Sequence, residues 1–162
     1  MNETQKMAYA SRYFRTGAEV RLAKEENPTP QMKYDSVRLL STPDFGNLNT
    51  SSYWHYICAP FVMFPELKKN DRDRYLTLLG GDMRNTLHLG GEVEITVGRS
   101  REDLQVFKFD TAVTVYLPSG LFFRVDIRQL DDARHPILYS ELTFSPSVKE
   151  SLSDSMTDFS VL

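Results

Sequence analysis

Between Arg74 and Arg128 the chain is a succession of short apolar runs, YLTLLGGD, GGEVEITVG, LQVFKF, AVTVYLPSG and LFFRVDI, each broken by glycine, proline or charge. Short runs rich in β-branched and aromatic residues and bounded by such breakers read as strands. Glu92–Val97 alternates, with Val93, Ile95 and Val97 on one face and Glu92, Glu94 and Thr96 on the other, the pattern of a half-solvated antiparallel strand. Tyr75–Leu79, Leu104–Phe109, Thr111–Leu117, Leu121–Ile127 and Ile137–Phe144 read as further strands, and no helical stretch separates them. Such spacing predicts an all-β sandwich or barrel.

Upstream, Tyr53–Pro60 (YWHYICAP) reads as a strand with Tyr53, His55 and Ile57 on one face and Trp54, Tyr56 and Cys58 on the other. FVMFPELKKNDRDR follows, apolar first and densely charged after, its charged half reading most simply as a solvated loop or edge strand. Near the N-terminus Met7, Ala10, Tyr13 and Phe14 recur at helical spacing before Gly17, which predicts a short amphipathic helix. EVRLA and YDSVRLL are weaker strand candidates, and Pro28 and Pro30 exclude a central strand between them. The expected organisation is an N-terminal helix and extended arm over 1–52, a barrel over 53–146 and a flexible tail over 147–162, rich in serine and aspartate.

At 162 residues one core can form, burying about two thirds of the unfolded surface. The net charge of -3 argues against nucleic acid, whose phosphates must be neutralised by Lys and Arg. No apolar run approaches the roughly 18 residues that span a bilayer, and the polar N-terminus does not resemble a signal peptide. The lone cysteine, Cys58, has no partner for an internal disulfide. A cytoplasmic protein with no membrane or nucleic-acid partner is expected.

LTLLGGD, LGGEVEITVG, TVYLPSGLFF and, after a charged turn, HPILYSEL together resemble the cupin superfamily over residues 53–146. The resemblance implies a cupin-like antiparallel β-barrel (a double-stranded β-helix), often a homodimer. It also implies a metal held by two histidines and a glutamate from a first motif and a histidine after the proline-glycine turn of a second. In register with Gly80-Gly81-Asp82, those positions fall on Lys68, Asn70, Arg74 and Phe123. A second register puts His88 and Glu92 in the first motif, with Thr86 where the first histidine belongs. Neither supplies the three ligands that a catalytic metal ordinarily needs, so no metal or other cofactor is expected.

In the first register Lys68, Asn70 and Arg74 share a face towards the interior, where Arg and Lys suit a carboxylate or phosphate. The opposing reading leaves ELKKNDRDR as a charged edge paired in solvent. His55, beside Tyr53, is the expected general acid or base, because histidine titrates near neutrality. His88 and His135 read as surface residues, and Glu92 and Glu94 as a wet strand face. The leading expectation is a metal-free barrel binding a small anionic organic molecule through Lys68, Asn70, Arg74, Phe123 and Tyr53. A metal-independent isomerase, epimerase or lyase acting through His55 is the alternative, and an assembly subunit without a site is the third reading.

Overall fold

The computed structural model describes residues 2–10, 37–41 and 50–144. Within them lie one helix, α1 (Glu3–Ala10), and nine strands: β1 (Val37–Ser41), β2 (Thr50–Ile57), β3 (Phe61–Lys69), β4 (Asp73–Leu79), β5 (His88–Gly98), β6 (Leu104–Thr111), β7 (Val113–Leu117), β8 (Phe122–Leu130) and β9 (Ile137–Phe144). A reciprocal cap starts α1: the Gln5 amide donates to Asn2 Oδ1 at 2.8 Å and the Asn2 amide to Gln5 Oε1 at 3.0 Å. The expected helical residues 11–14, the EVRLA strand and the tail from 147 onward lie outside the described residues. No described helix is long and apolar enough to cross a membrane.

The strands form two antiparallel sheets, ordered β1-β2-β9-β4-β7 and β3-β8-β5-β6. From β2 onward the ladders nest, β2 with β9, β3 with β8, β4 with β7 and β5 with β6, as in a long hairpin rolled on itself. Rolling then adds the β4–β9 and β5–β8 ladders. That strand order is a jelly roll, the topology of cupin-like barrels, and it leaves the fold all-β. The sheet starts earlier than residue 53, because β2 begins at Thr50 and β1, which overlaps YDSVRLL, pairs on its outer edge.

Alternation places the core. Ile57, Leu76, Leu78, Val93, Ile95, Val125, Ile127 and Tyr139 point between the sheets and are buried. Each such apolar side chain contributes about 1.5–3 kcal/mol when fully buried.

Two local features position the interior polar residues. In β3 the alternation changes phase. Phe61 and Met63 lie opposite Ile127 and Val125, but the register then shifts so that Lys68 lies opposite Phe123 and Lys69 opposite Phe122. Odd positions face inward before the shift and even positions after it. The extra residues form a bulge around Phe64, whose φ of 58° is the left-handed conformation that bulky residues rarely adopt. Pro65, which has no N–H to donate, falls within this bulge of an edge strand.

The second feature is a hook between loops. Pro118-Ser119-Gly120-Leu121 turns with Gly120 at φ 89°, as a type II turn requires at its third position. The Asn70 amide donates to the Leu121 carbonyl at 2.7 Å, and the Gly120 amide to the Asn70 carbonyl at 2.6 Å. The β3–β4 and β7–β8 connections are thereby pinned together.

Candidate functional site

The hook brings the end of β3, the start of β4 and the start of β8 to one end of the barrel. From Asn70 through Arg72, Arg74, Leu76 and Leu78, every second residue is buried, while Asp71, Asp73 and Tyr75 are exposed. The charged stretch is therefore not a solvated edge along its whole length. Strand β4's inward phase begins before its apolar residues do, and it carries Arg72 and Arg74 inside. Arg74 is 0% exposed.

A guanidinium in that position must be paired, because an uncompensated buried charge costs several kcal/mol. Glu141 on β9, 3% exposed, meets Arg74 Nη1 at 3.0 Å. Tyr139 donates its hydroxyl to the other Glu141 oxygen at 3.0 Å. Arg74 Nη2 reaches Asp71 at 3.3 Å, and Arg72 donates to both oxygens of the same carboxylate. Burial raises the Asp71 pKa, but the Arg72 hydrogen bonds and the charges of Arg72 and Arg74 outweigh it, leaving the carboxyl below its ordinary value. Burial, then the Glu141 charge, pushes the Tyr139 phenol well above the usual range, so it stays protonated as the donor.

Aromatic rings continue the cluster. Arg74 Cζ lies 5.4 Å over the Phe123 ring, which meets Phe64 edge-on at 5.1 Å, and Lys68 Nζ sits 5.4 Å from the Phe64 centroid. Burial and the Arg74 charge lower the Lys68 pKa to about 8, against the opposing pull of Glu141 and Asp71. Lys68 and Arg74 are thus brought together with Phe123, which is distant in sequence, at the barrel interior.

Asn70 is buried at 1% exposure and holds the backbone. Its Nδ2 donates to the carbonyls of Arg72, Leu117 at 2.7 Å and Pro118 at 3.0 Å. Tyr53, also buried, lies opposite Glu141 across the β2–β9 ladder.

His55 faces inward as its strand phase predicts, opposite Tyr139, with the two rings 6.0 Å apart. Burial lowers its pKa to about 4, so it is neutral at pH 7. The near-neutral titration expected of it is thereby lost, since enclosure disfavours the imidazolium.

The second motif register has no such convergence. His88 is exposed, its Nδ1 accepting from the Gly90 amide at 3.1 Å, and Glu92 lies at the surface 3.6 Å from Lys108. Glu94 pairs across strands with Lys108 at 2.9 Å and Arg128 at 3.4 Å, and Arg128 pairs along β8 with Asp126 at 2.8 Å, the ion pairing of a wet face. His88 and His135 line a surface hollow of about 190 Å³ with Asp82 and Asp132. Those two carboxylates are already committed to Arg84 and Arg134.

Among the described residues no group of three His, Cys, Asp or Glu side chains could hold a metal ion. The residues at the positions where the resemblance led a metal to be sought do not fit one either. Lys68 and Arg74 are cations, the Asn70 amide nitrogen is spent on carbonyls, and Phe123 offers no donor atom.

Tyr139, Glu141, Arg72 and Asp71 are the members of the cluster that sequence reasoning did not single out. The signal was present in ILYSELTF, where period-two alternation puts Glu141 on the same inward phase as Ile137 and Tyr139.

No family model and no curated protein matches the chain. Solved structures similar to it include a Bacillus halodurans protein, 11% identical at TM-score 0.45, covering 91% of this chain and 82% of that one. The Schizosaccharomyces pombe Cnp3 cupin domain is 12% identical at TM-score 0.44, covering 68% and 64%. Bacillus subtilis oxalate decarboxylase, a protein with Mn(II) centers, is 10% identical at TM-score 0.47, covering 72% of this chain and 27% of its own. At such low values the strand order itself remains the ground for the fold.

Proposed function

We propose that the end of the barrel interior formed by β3, β4, β8 and β9 binds a small organic anion. The carrying observation is the company these side chains keep: among the described residues Lys68, Arg72 and Arg74 gather beside Asp71 and Glu141, with the Phe64 and Phe123 rings next to them. Guanidinium and ammonium groups gathered at one end of a barrel suit a carboxylate or phosphate. Lys68, half-buried over the Phe64 ring, is the member proposed to meet it. Phe64, Phe123 and Tyr53 supply apolar walls for the ligand's carbon skeleton, and Asn70 holds the two loops in place. His55, enclosed and neutral at pH 7, has no part in this binding reading.

Binding to the folded state alone raises its melting temperature. Acetate, oxalate and phosphate should therefore be compared by thermal shift on the wild type and on Lys68→Met. A rise specific to one anion, lost in the variant, supports the reading. The same small rise for every salt, on both proteins, rejects it.

A further inference from the structure

We propose that the outer face of the β9-β4-β7 part of the barrel carries a second binding site, a platform of Tyr75, Tyr116 and Phe144 around the Asp73 carboxylate, and that it takes a small quaternary ammonium compound. The site lies on the other side of β4 from Arg74 and does not rest on the anion-binding reading. Period two on β4 sends Arg74 and Leu76 inward and Asp73 and Tyr75 outward. The β4 ladders set Tyr116 of β7 opposite Tyr75 and Phe144 of β9 opposite Asp73. Four side chains from three strands thus share one patch. The Tyr75 ring lies 5.1 Å from that of Tyr116 and 6.2 Å from that of Phe144, where the two planes stand at 79°.

The outer face of an antiparallel sheet is ordinarily polar, and the other sheet of this barrel obeys: Glu92, Glu94, Lys108, Asp126 and Arg128 pair there with one another. On this face three aromatic rings are left open instead, with Tyr75 39%, Tyr116 50% and Phe144 45% exposed. An open aromatic patch of this kind marks a contact surface. The exposed Asp73 carboxylate among the rings accepts the Tyr116 hydroxyl at 3.2 Å on one oxygen and the Ser119 amide at 2.9 Å on the other. Both donors are neutral, and among the described residues no Lys, Arg or His side chain forms an ion pair with Asp73, so its negative charge is left standing.

That combination selects the ligand by charge. The face of an aromatic ring is the negative side of its quadrupole and attracts a cation within about 6 Å of its centre. Asp73 adds a full charge of the same sign beside those faces, which repels anions and leaves a neutral apolar molecule with nothing to offer the carboxylate. A quaternary ammonium group has no N–H to strip of water, and its methyl groups carry the positive charge into contact with the rings. Desolvation, then the Asp73 hydrogen bond, raises the Tyr116 pKa, so the phenol keeps its proton and goes on holding the carboxylate within the patch.

The test is an NMR titration of the full chain with choline and with 3,3-dimethyl-1-butanol, a neutral molecule of the same shape, following the ring signals of Tyr75, Tyr116 and Phe144. Choline should shift those signals to saturation and bind about three- to tenfold more tightly than the neutral isostere. Asp73→Asn, which keeps the size of an exposed side chain, should remove most of that preference and leave the binding of the isostere unchanged. Equal binding of the two molecules, ring signals indifferent to choline, or a preference that survives Asp73→Asn overturns the proposal. A larger response to glucose than to choline also overturns it and assigns the platform to a carbohydrate. The two ligands are compared on the wild type, so the test does not depend on whether the variant folds.

Discussion

Arg74 and Glu141 face each other at 3.0 Å across the β4–β9 region of the barrel interior, both essentially sealed from solvent. Removing one partner strands the other, whereas removing both removes the desolvation cost as well. Arg74→Met should lose about 3–5 kcal/mol in urea denaturation. Combining it with Glu141→Leu should recover part of that loss, so that the double variant is more stable than Arg74→Met alone.

Asn70 is expected to be a structural linchpin between the loops. Asn70→Ala leaves the carbonyls of Arg72, Leu117 and Pro118 without their donor and should cost about 1–3 kcal/mol. Asn70→Asp should cost more at neutral pH, because a carboxylate would then face those same carbonyls. Denaturant midpoints of the two variants, measured side by side, check the order.

His55 makes stability depend on pH on the acid side. Its pKa falls from 6.5 in the unfolded chain to about 4 in the fold, so between these values the unfolded state binds the extra proton. Stability is fully present above pH 6.5 and is lost as pH falls towards 4, by about 3 kcal/mol from this residue. His55→Asn should flatten that part of the profile relative to the wild type when unfolding free energies at pH 7 and pH 4.5 are compared.

Anion affinity should depend on pH on the alkaline side, through Lys68. An anion bound beside the amine favours its protonated form, so binding takes up protons once Lys68 begins to deprotonate in the protein without ligand. Affinity should be constant below about pH 7 and decline as pH rises through about 8. Calorimetry in buffers of different ionisation enthalpy at pH 8 should show that proton uptake. An unchanged affinity to pH 9 would remove Lys68 from the site.

The barrel was legible in the sequence because period-two alternation and Gly/Pro breaks are local signals. Glu92–Val97 and Ile137–Phe144 carry them openly, and both are strands of the fold. The interior of the site was legible only in part. The alternation of Leu76 and Leu78 runs back through Arg74, Arg72 and Asn70, but charge at the two arginines reads as solvent exposure until the pairing of Arg74 with Glu141 is known. That partner lies 67 residues away in sequence, and no local pattern joins the two. The inward turn of Lys68 is less legible still. It depends on the bulge at Phe64, which reverses the phase that Phe61 and Met63 set. The burial that moves the His55 pKa away from neutrality is likewise a property of the closed barrel.

The most direct measurement is the titration of Lys68 itself, followed by NMR of lysine side chains labelled at the ε-carbon and assigned with Lys68→Arg. A midpoint near pH 8, moving upward when a bound carboxylate is added, is the predicted result. A Lys68 that titrates with Lys69 and the other surface lysines near the ordinary value, indifferent to any anion, would show that the amine is not held inside the cationic cluster and would contradict both the site and its chemistry.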